Sequence, residues 1–106
     1  MPLAEFKRRE RRLFKRIPFI RDVEIIGLGE YRCLNLGTGG LYVEITESFP
    51  VGSVMDLRFK LHDTDEHPMT IQACVHYRHE GAGIGLVFID LSLEDHEKLE
   101  GFIGHK

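Results

Sequence analysis

The sequence predicts a mostly β domain: a six-stranded antiparallel barrel led by a basic N-terminal arm and closed by one C-terminal helix. Three observations carry this. Short segments alternate apolar and polar side chains, the period-two pattern of half-buried strands. Eleven glycines in 106 residues break the chain into short strands joined by tight turns. One stretch, near the C-terminus, combines a helix start signal with a helical apolar spacing. Strands this short, in a chain of single-domain length, close most readily into a barrel.

The arm occupies residues 1–16 and the barrel with its helix residues 17–106. Pro18 drives Ile17 out of helical geometry, so the chain enters its first strand extended. That strand is Phe19–Ile26, followed by a turn at Gly27-Leu28-Gly29-Glu30 and a second strand, Tyr31–Leu34. Asn35-Leu36-Gly37-Thr38-Gly39-Gly40 reads as a turn. Leu41–Thr46 places Leu41, Val43 and Ile45 on one face and Tyr42 and Glu44 on the other. After a break at Phe49–Ser53, Val54–His62 turns Met55, Leu57, Phe59 and Leu61 inward. A polar loop, Asp63–Pro68, leads into Thr70–His79, with Ile71, Ala73, Val75 and Tyr77 expected inside. Ile84–Ile89 is apolar on both faces, as in a central or helix-covered strand. Ser92 is placed as an N-cap with Asp95 three residues on, close to a capping box. The helix is expected over Leu93–Phe102, with Leu93, His96, Leu99 and Ile103 toward the sheet.

The charge is placed rather than spread. Lys7, Arg8, Arg9, Arg11, Arg12, Lys15 and Arg16 are half of the 14 basic side chains. Against Glu5 and Glu10 they give the arm +5, and a whole-chain charge of −3 leaves −8 on the body. Arginine outnumbers lysine, and its planar fork meets phosphate or the O6/N7 edge of guanine with two hydrogen bonds at once. The arm is a grip for a phosphate- and guanine-bearing ligand, or a solvated basic tail; composition leaves both open.

No run approaches the roughly 18 apolar residues of a membrane span, and charge stands where a signal peptide would have its apolar core. A cytoplasmic protein without membrane insertion is expected. Cys33 and Cys74 form no CxxC pair and are expected to be reduced, packed or half-exposed strand residues. Nothing assembles a catalytic or metal site. His76 and His79 are read as solvent-facing, and His62 and His67 bracket an acidic loop that is read as solvated. Phe14 and Phe19 are expected at a barrel end, and Ser92 caps a helix rather than attacking a substrate. No enzyme activity and no cofactor are expected.

The stretch Arg11-Arg12-Leu13-Phe14-Lys15-Arg16-Ile17-Pro18-Phe19 resembles the leading motif of the PilZ domain family, an Arg, three residues and a second Arg, here Arg12 and Arg16. The family's second motif is Asp or Asn, any residue, Ser, two residues and Gly. It is matched by Asn35-Leu36-Gly37-Thr38-Gly39-Gly40. Gly83–Phe88 and the helix opening at Leu91–Asp95 are similar to the family's last strand and helix, so the resemblance runs from about residue 10 to about residue 103. It implies a six-stranded barrel and, as ligand, the bacterial second messenger cyclic di-GMP. The implied contacts are Arg12 and Arg16 on phosphates and guanine edges, with Asn35, Gly37 and Gly40 in the second motif. Arg11, directly before the first motif, matches the pattern associated with two intercalated ligand molecules per chain. A guanine presents N1–H and N2–H₂ donors, and Asn35 accepts through its carbonyl oxygen alone. Gly37 departs from the family's Ser and removes one hydroxyl.

The resemblance implies a receptor that couples the ligand to a protein partner, which the sequence does not name. One rival is an adaptor of the same fold that has lost the ligand, although such members usually lack the arginines kept here. Another is a barrel for single-stranded nucleic acid, with Tyr31 or Tyr42 stacking on bases. Against it, a body at −8 repels a long polyanion but not a dinucleotide touching only the arm and one turn.

Overall fold

A computed structural model describes residues 16–104. Among the described residues six strands, β1 (Arg16–Ile25), β2 (Gly29–Gly37), β3 (Gly40–Glu44), β4 (Val54–Phe59), β5 (Met69–His79) and β6 (Gly83–Ile89), precede one helix, α1 (Leu93–Gly104). They form a closed antiparallel barrel in the order β1-β2-β3-β6-β5-β4. The predicted barrel, its six strands and the C-terminal helix are present, and the arm up to residue 15 lies outside the described residues.

Alternation makes the core. Met55, Leu57 and Phe59 of β4 and Met69, Ile71, Ala73 and Val75 of β5 point inward and are buried. One ring of pairings, Ile17–Leu36–Leu41–Leu86–Val75, crosses five strands and is buried throughout. α1 closes one end of the barrel. Ser92 Oγ accepts from the backbone N–H of Asp95 at 3.1 Å, which is the expected cap. Leu99 and Ile103 are buried, and the ring of Phe102 meets Phe19 edge-on at 5.6 Å.

Four expectations are corrected. β1 begins at Arg16 rather than Phe19, so Arg16 belongs to the barrel wall. β2 runs on to Gly37, leaving only Thr38-Gly39 as the β2–β3 turn; Asn35 and Gly37 are strand residues. Tyr77 is not inside. The β5–β6 register slips between Val75 and Tyr77, so His76 is an extra residue and Tyr77 moves to the outer face. Leu93 is 72% exposed, because six residues of helix turn it about 120° away from Leu99. β6 lies between β3 and β5, and in the closed barrel no strand is an edge.

Candidate functional site

The motif residues meet on the outer face where β1, β2 and β3 lie side by side. A bulge puts them there. Between Cys33 and Asn35 the β2–β3 register shifts by one residue, and the β1–β2 register shifts opposite the same point. Leu34 is the extra residue. It lets Cys33 and Leu36 both face the core, which turns Asn35 outward. The thiol of Cys33 pins this kink by donating to the carbonyl oxygen of Asn35, Sγ to O 3.2 Å. Burial pushes that thiol up to about 11, with the backbone hydrogen bonds and the nearby Arg16 charge pulling the other way, so it stays protonated and remains a donor.

Asn35 pairs with Pro18 of β1 and Tyr42 of β3, and Arg16 pairs with Gly37. Arg16 Nη1 donates to Asn35 Oδ1 at 2.9 Å. Residues from the two motifs, 19 apart in sequence, are thus joined on the surface. The contact orients the Asn35 amide and leaves its carbonyl oxygen one further lone pair for an incoming donor. The other Arg16 nitrogens remain as donors for an anion or a guanine edge.

The glycines differ in their reasons. Gly37 sits in extended strand backbone and is buried, so a left-handed conformation is not what selects glycine there. Gly40 is selected by packing: a side chain would collide with the carbonyl oxygen of Leu86 on the neighbouring β6. Arg11 and Arg12 lie outside the described residues, as does Phe14.

One constellation on the same face was not legible. Tyr42 and Tyr77 have ring centroids 6.2 Å apart with planes inclined by 28°, and Tyr42 Oη is 3.1 Å from Nδ1 of His79. Both rings rest on β6 where it has no side chain, Tyr42 over Gly83 and Tyr77 over Gly85. Burial, then Tyr77 and Glu44, holds the Tyr42 phenol above its usual range, so it stays neutral. The Gly83-x-Gly85 spacing was the available signal, since a strand without outer side chains needs a neighbour to cover it.

His76 and His79 are exposed, as expected. Among the described residues no group of three or more His, Cys, Asp or Glu is placed to hold a metal ion. Cys33 and Cys74 are free thiols, one buried and one half-buried. A groove of about 590 Å³ between the 61–69 loop and α1, lined by Leu61, His62, Met69, Lys98 and Phe102, lies apart from the motif residues. No helix among the described residues is long and apolar enough to cross a membrane.

The chain belongs to the PilZ domain family, whose model matches residues 10–105. Among solved structures it is similar to the inhibitor of motility MotI/DgrA of Bacillus subtilis, with a TM-score of 0.76 and 22% identity over 90% of this chain and 50% of that one. It is also similar to YcgR from Escherichia coli, solved in complex with c-di-GMP, with a TM-score of 0.64 and 14% identity over 90% of this chain and 45% of that one. At these identities the likeness is one of fold, and the chain spans about half the length of each structure. No curated protein matches it.

Proposed function

We propose that this chain is a non-enzymatic bacterial receptor for cyclic di-GMP that acts in the cytoplasm and passes the signal to a protein partner. The observation that carries the reading is the Arg16–Asn35 hydrogen bond, which joins the two motifs on one outer face. Family membership and the fold shared with a protein solved with c-di-GMP support it. Arg12 and Arg16 bind phosphates and guanine edges, Asn35 accepts from a guanine, Gly37 lets the ligand approach the backbone, and Gly40, glycine for its packing on β6, ends the motif beside it. Arg11 brings the count to two ligand molecules per chain.

Calorimetric titration with cyclic di-GMP tests this directly, reporting affinity and stoichiometry together. Binding by the wild type, with loss of measurable binding in Arg12→Ala and in Arg16→Ala at unchanged circular dichroism, is the expected result. Charge-assisted contacts of this kind are worth about 1.5–3 kcal/mol each. Arg11→Leu is expected to lower the count from two toward one. The specific observation for a second reading, an adaptor of this fold without the ligand, is Gly37 in place of Ser. An inert wild-type titration would favour it.

A further inference from the structure

The groove between the 61–69 loop and α1 has an apolar floor and an acidic rim. Leu61, Met69 and Phe102 form the floor, and the ring of His62 stands edge-on to Phe102 at 5.0 Å. Asp65 and Glu66 stand on the loop side of the rim. The amine on the lining, Lys98, is already engaged by Glu94 at 3.2 Å, one turn back along α1. The two carboxylates therefore set the sign of the rim. The helix wall carries Gly101, inside α1. Glycine within a helix weakens it relative to alanine. A Cβ at position 101 would meet nothing within 4 Å, so no packing among the described residues selects glycine there. A group lying close against the helix would select it. Such a group is apolar where it meets the floor and positive where it meets the rim.

The chain itself supplies one segment of that chemistry. Its arm carries +5 against −8 on the body, and Phe14 is flanked there by Arg11, Arg12 and Lys15. The arm joins the barrel at the end that α1 closes. β1 begins at Arg16, and Phe19, three residues on, sets its ring against Phe102 at 5.6 Å. Phe14 is five residues before Phe19, a tether of at most about 18 Å when extended. The groove begins on the other side of Phe102, within that reach. We propose that this groove is the seat of the chain's own basic arm, with Phe14 as its anchor. The ring lies over Phe102 and Met69 and against Gly101, and the neighbouring basic side chains meet Asp65 and Glu66. An aromatic ring brings large apolar area at a small cost in side-chain entropy, which suits a single anchor. The inference does not depend on whether the chain binds cyclic di-GMP.

The full chain without ligand, labelled on its methionine methyls and phenylalanine rings, is compared with Phe14→Ser by nuclear magnetic resonance. The methionines are three, Met1, Met55 and Met69. Met69 lines the groove, and Met55 is buried in the core away from it. In the wild type the Phe14 ring should show a nuclear Overhauser contact to the Met69 methyl. Phe14→Ser should move the Met69 resonance and leave that of Met55 in place. A Met69 resonance that does not move overturns the proposal. If Phe14→Ser does not fold, absence of the wild-type contact overturns it. A contact that fades on dilution assigns the seat to the arm of a second copy and overturns the intramolecular form. Trypsin gives an independent readout, since the arm is rich in cleavage sites. Phe14→Ser, and Gly101→Leu, which fills the groove from the helix side, should each release arm fragments about tenfold faster than wild type. Release from Gly101→Leu at the wild-type rate would place the arm elsewhere and overturn the seat.

Discussion

At the scale of the residue, Cys33 shows how a buried side chain can support a surface site. Its side chain is fully enclosed, yet its thiol proton holds the carbonyl of Asn35 and so the kink that turns the Asn35 amide outward. The folded thiol titrates near 11 against an ordinary 9.0. Folding therefore favours the protonated form. The stability difference is fully present below pH 9 and is lost as pH rises toward 11. The shift corresponds to about 2–3 kcal/mol at most. Urea unfolding at pH 8 and pH 10.5 should show wild type losing more stability than Cys33→Ala between the two. Equal losses would mean that the thiol is not the titrating group. Tyr42 is raised in the same direction, so the difference between the two proteins, not the absolute loss, isolates Cys33. A thiol reagent at pH 8 should modify Cys74 well before Cys33.

At the scale of the element, the two motif glycines separate by substitution. Gly40→Ala puts a methyl against the Leu86 carbonyl oxygen, a backbone atom that cannot swing aside. A destabilisation of about 1–3 kcal/mol is expected in urea unfolding, whether or not ligand is present. Gly37→Ser is expected to do the opposite for binding. Its backbone is extended strand, which a serine adopts, so the substitution lowers unfolded-state entropy and adds about 0.4–1 kcal/mol to folding stability rather than to affinity. The hydroxyl adds a hydrogen bond worth about 0.5–1.5 kcal/mol. Affinity for cyclic di-GMP should rise by up to about tenfold in a paired titration; unchanged affinity and melting would remove position 37 from the site. The elements themselves were legible because alternation is a local property of the strand. Arg12, Arg16, Asn35, Gly37 and Gly40 were legible as a motif, but that Asn35 lies on a strand was not. Three glycines in six residues look like a turn, and only pairing with β1 and β3 shows that the strand continues to Gly37. Tyr77 was misplaced for a related reason. A bulge inverts the side chains after it, and nothing in the alternation of Ile71, Ala73 and Val75 announces the slip at His76. Leu93 is apolar and helical, but its face is set by where the helix docks, which the helical period alone does not give.

At the scale of the whole molecule, the barrel is closed unevenly. β4 and β5 pair over six residue pairs, and β3 and β6 over five. The β1–β4 seam that completes the ring has two, Glu24 with Arg58 and Ile25 with Leu57, extended by one backbone bond from the Ile26 N–H to the Asp56 carbonyl at 2.9 Å. Its ion pair, Arg58 Nη2 to Glu24 Oε1 at 2.7 Å, is partly solvated, with 45% and 35% of the two side chains exposed. Such a pair is worth at most about 1 kcal/mol. The seam is thus held mainly by Ile25 and Leu57 in the core, and it is expected to be the place where the barrel opens first. Native-state hydrogen exchange should find the seam amides, that of Ile26 above all, opening at lower free energy than the amides shared by β3 and β6. Glu24→Gln should speed seam exchange by no more than about fivefold and leave the β3–β6 amides unchanged. The seam lies at the far end of β1 from Arg16, eight residues or roughly 26 Å along the strand. Cyclic di-GMP affinity of Glu24→Gln should therefore equal that of the wild type. Exchange that is uniform around the ring would show that the barrel opens as one cooperative unit. A loss of affinity in Glu24→Gln would show that closing the seam is coupled to the face that carries Arg16 and Asn35.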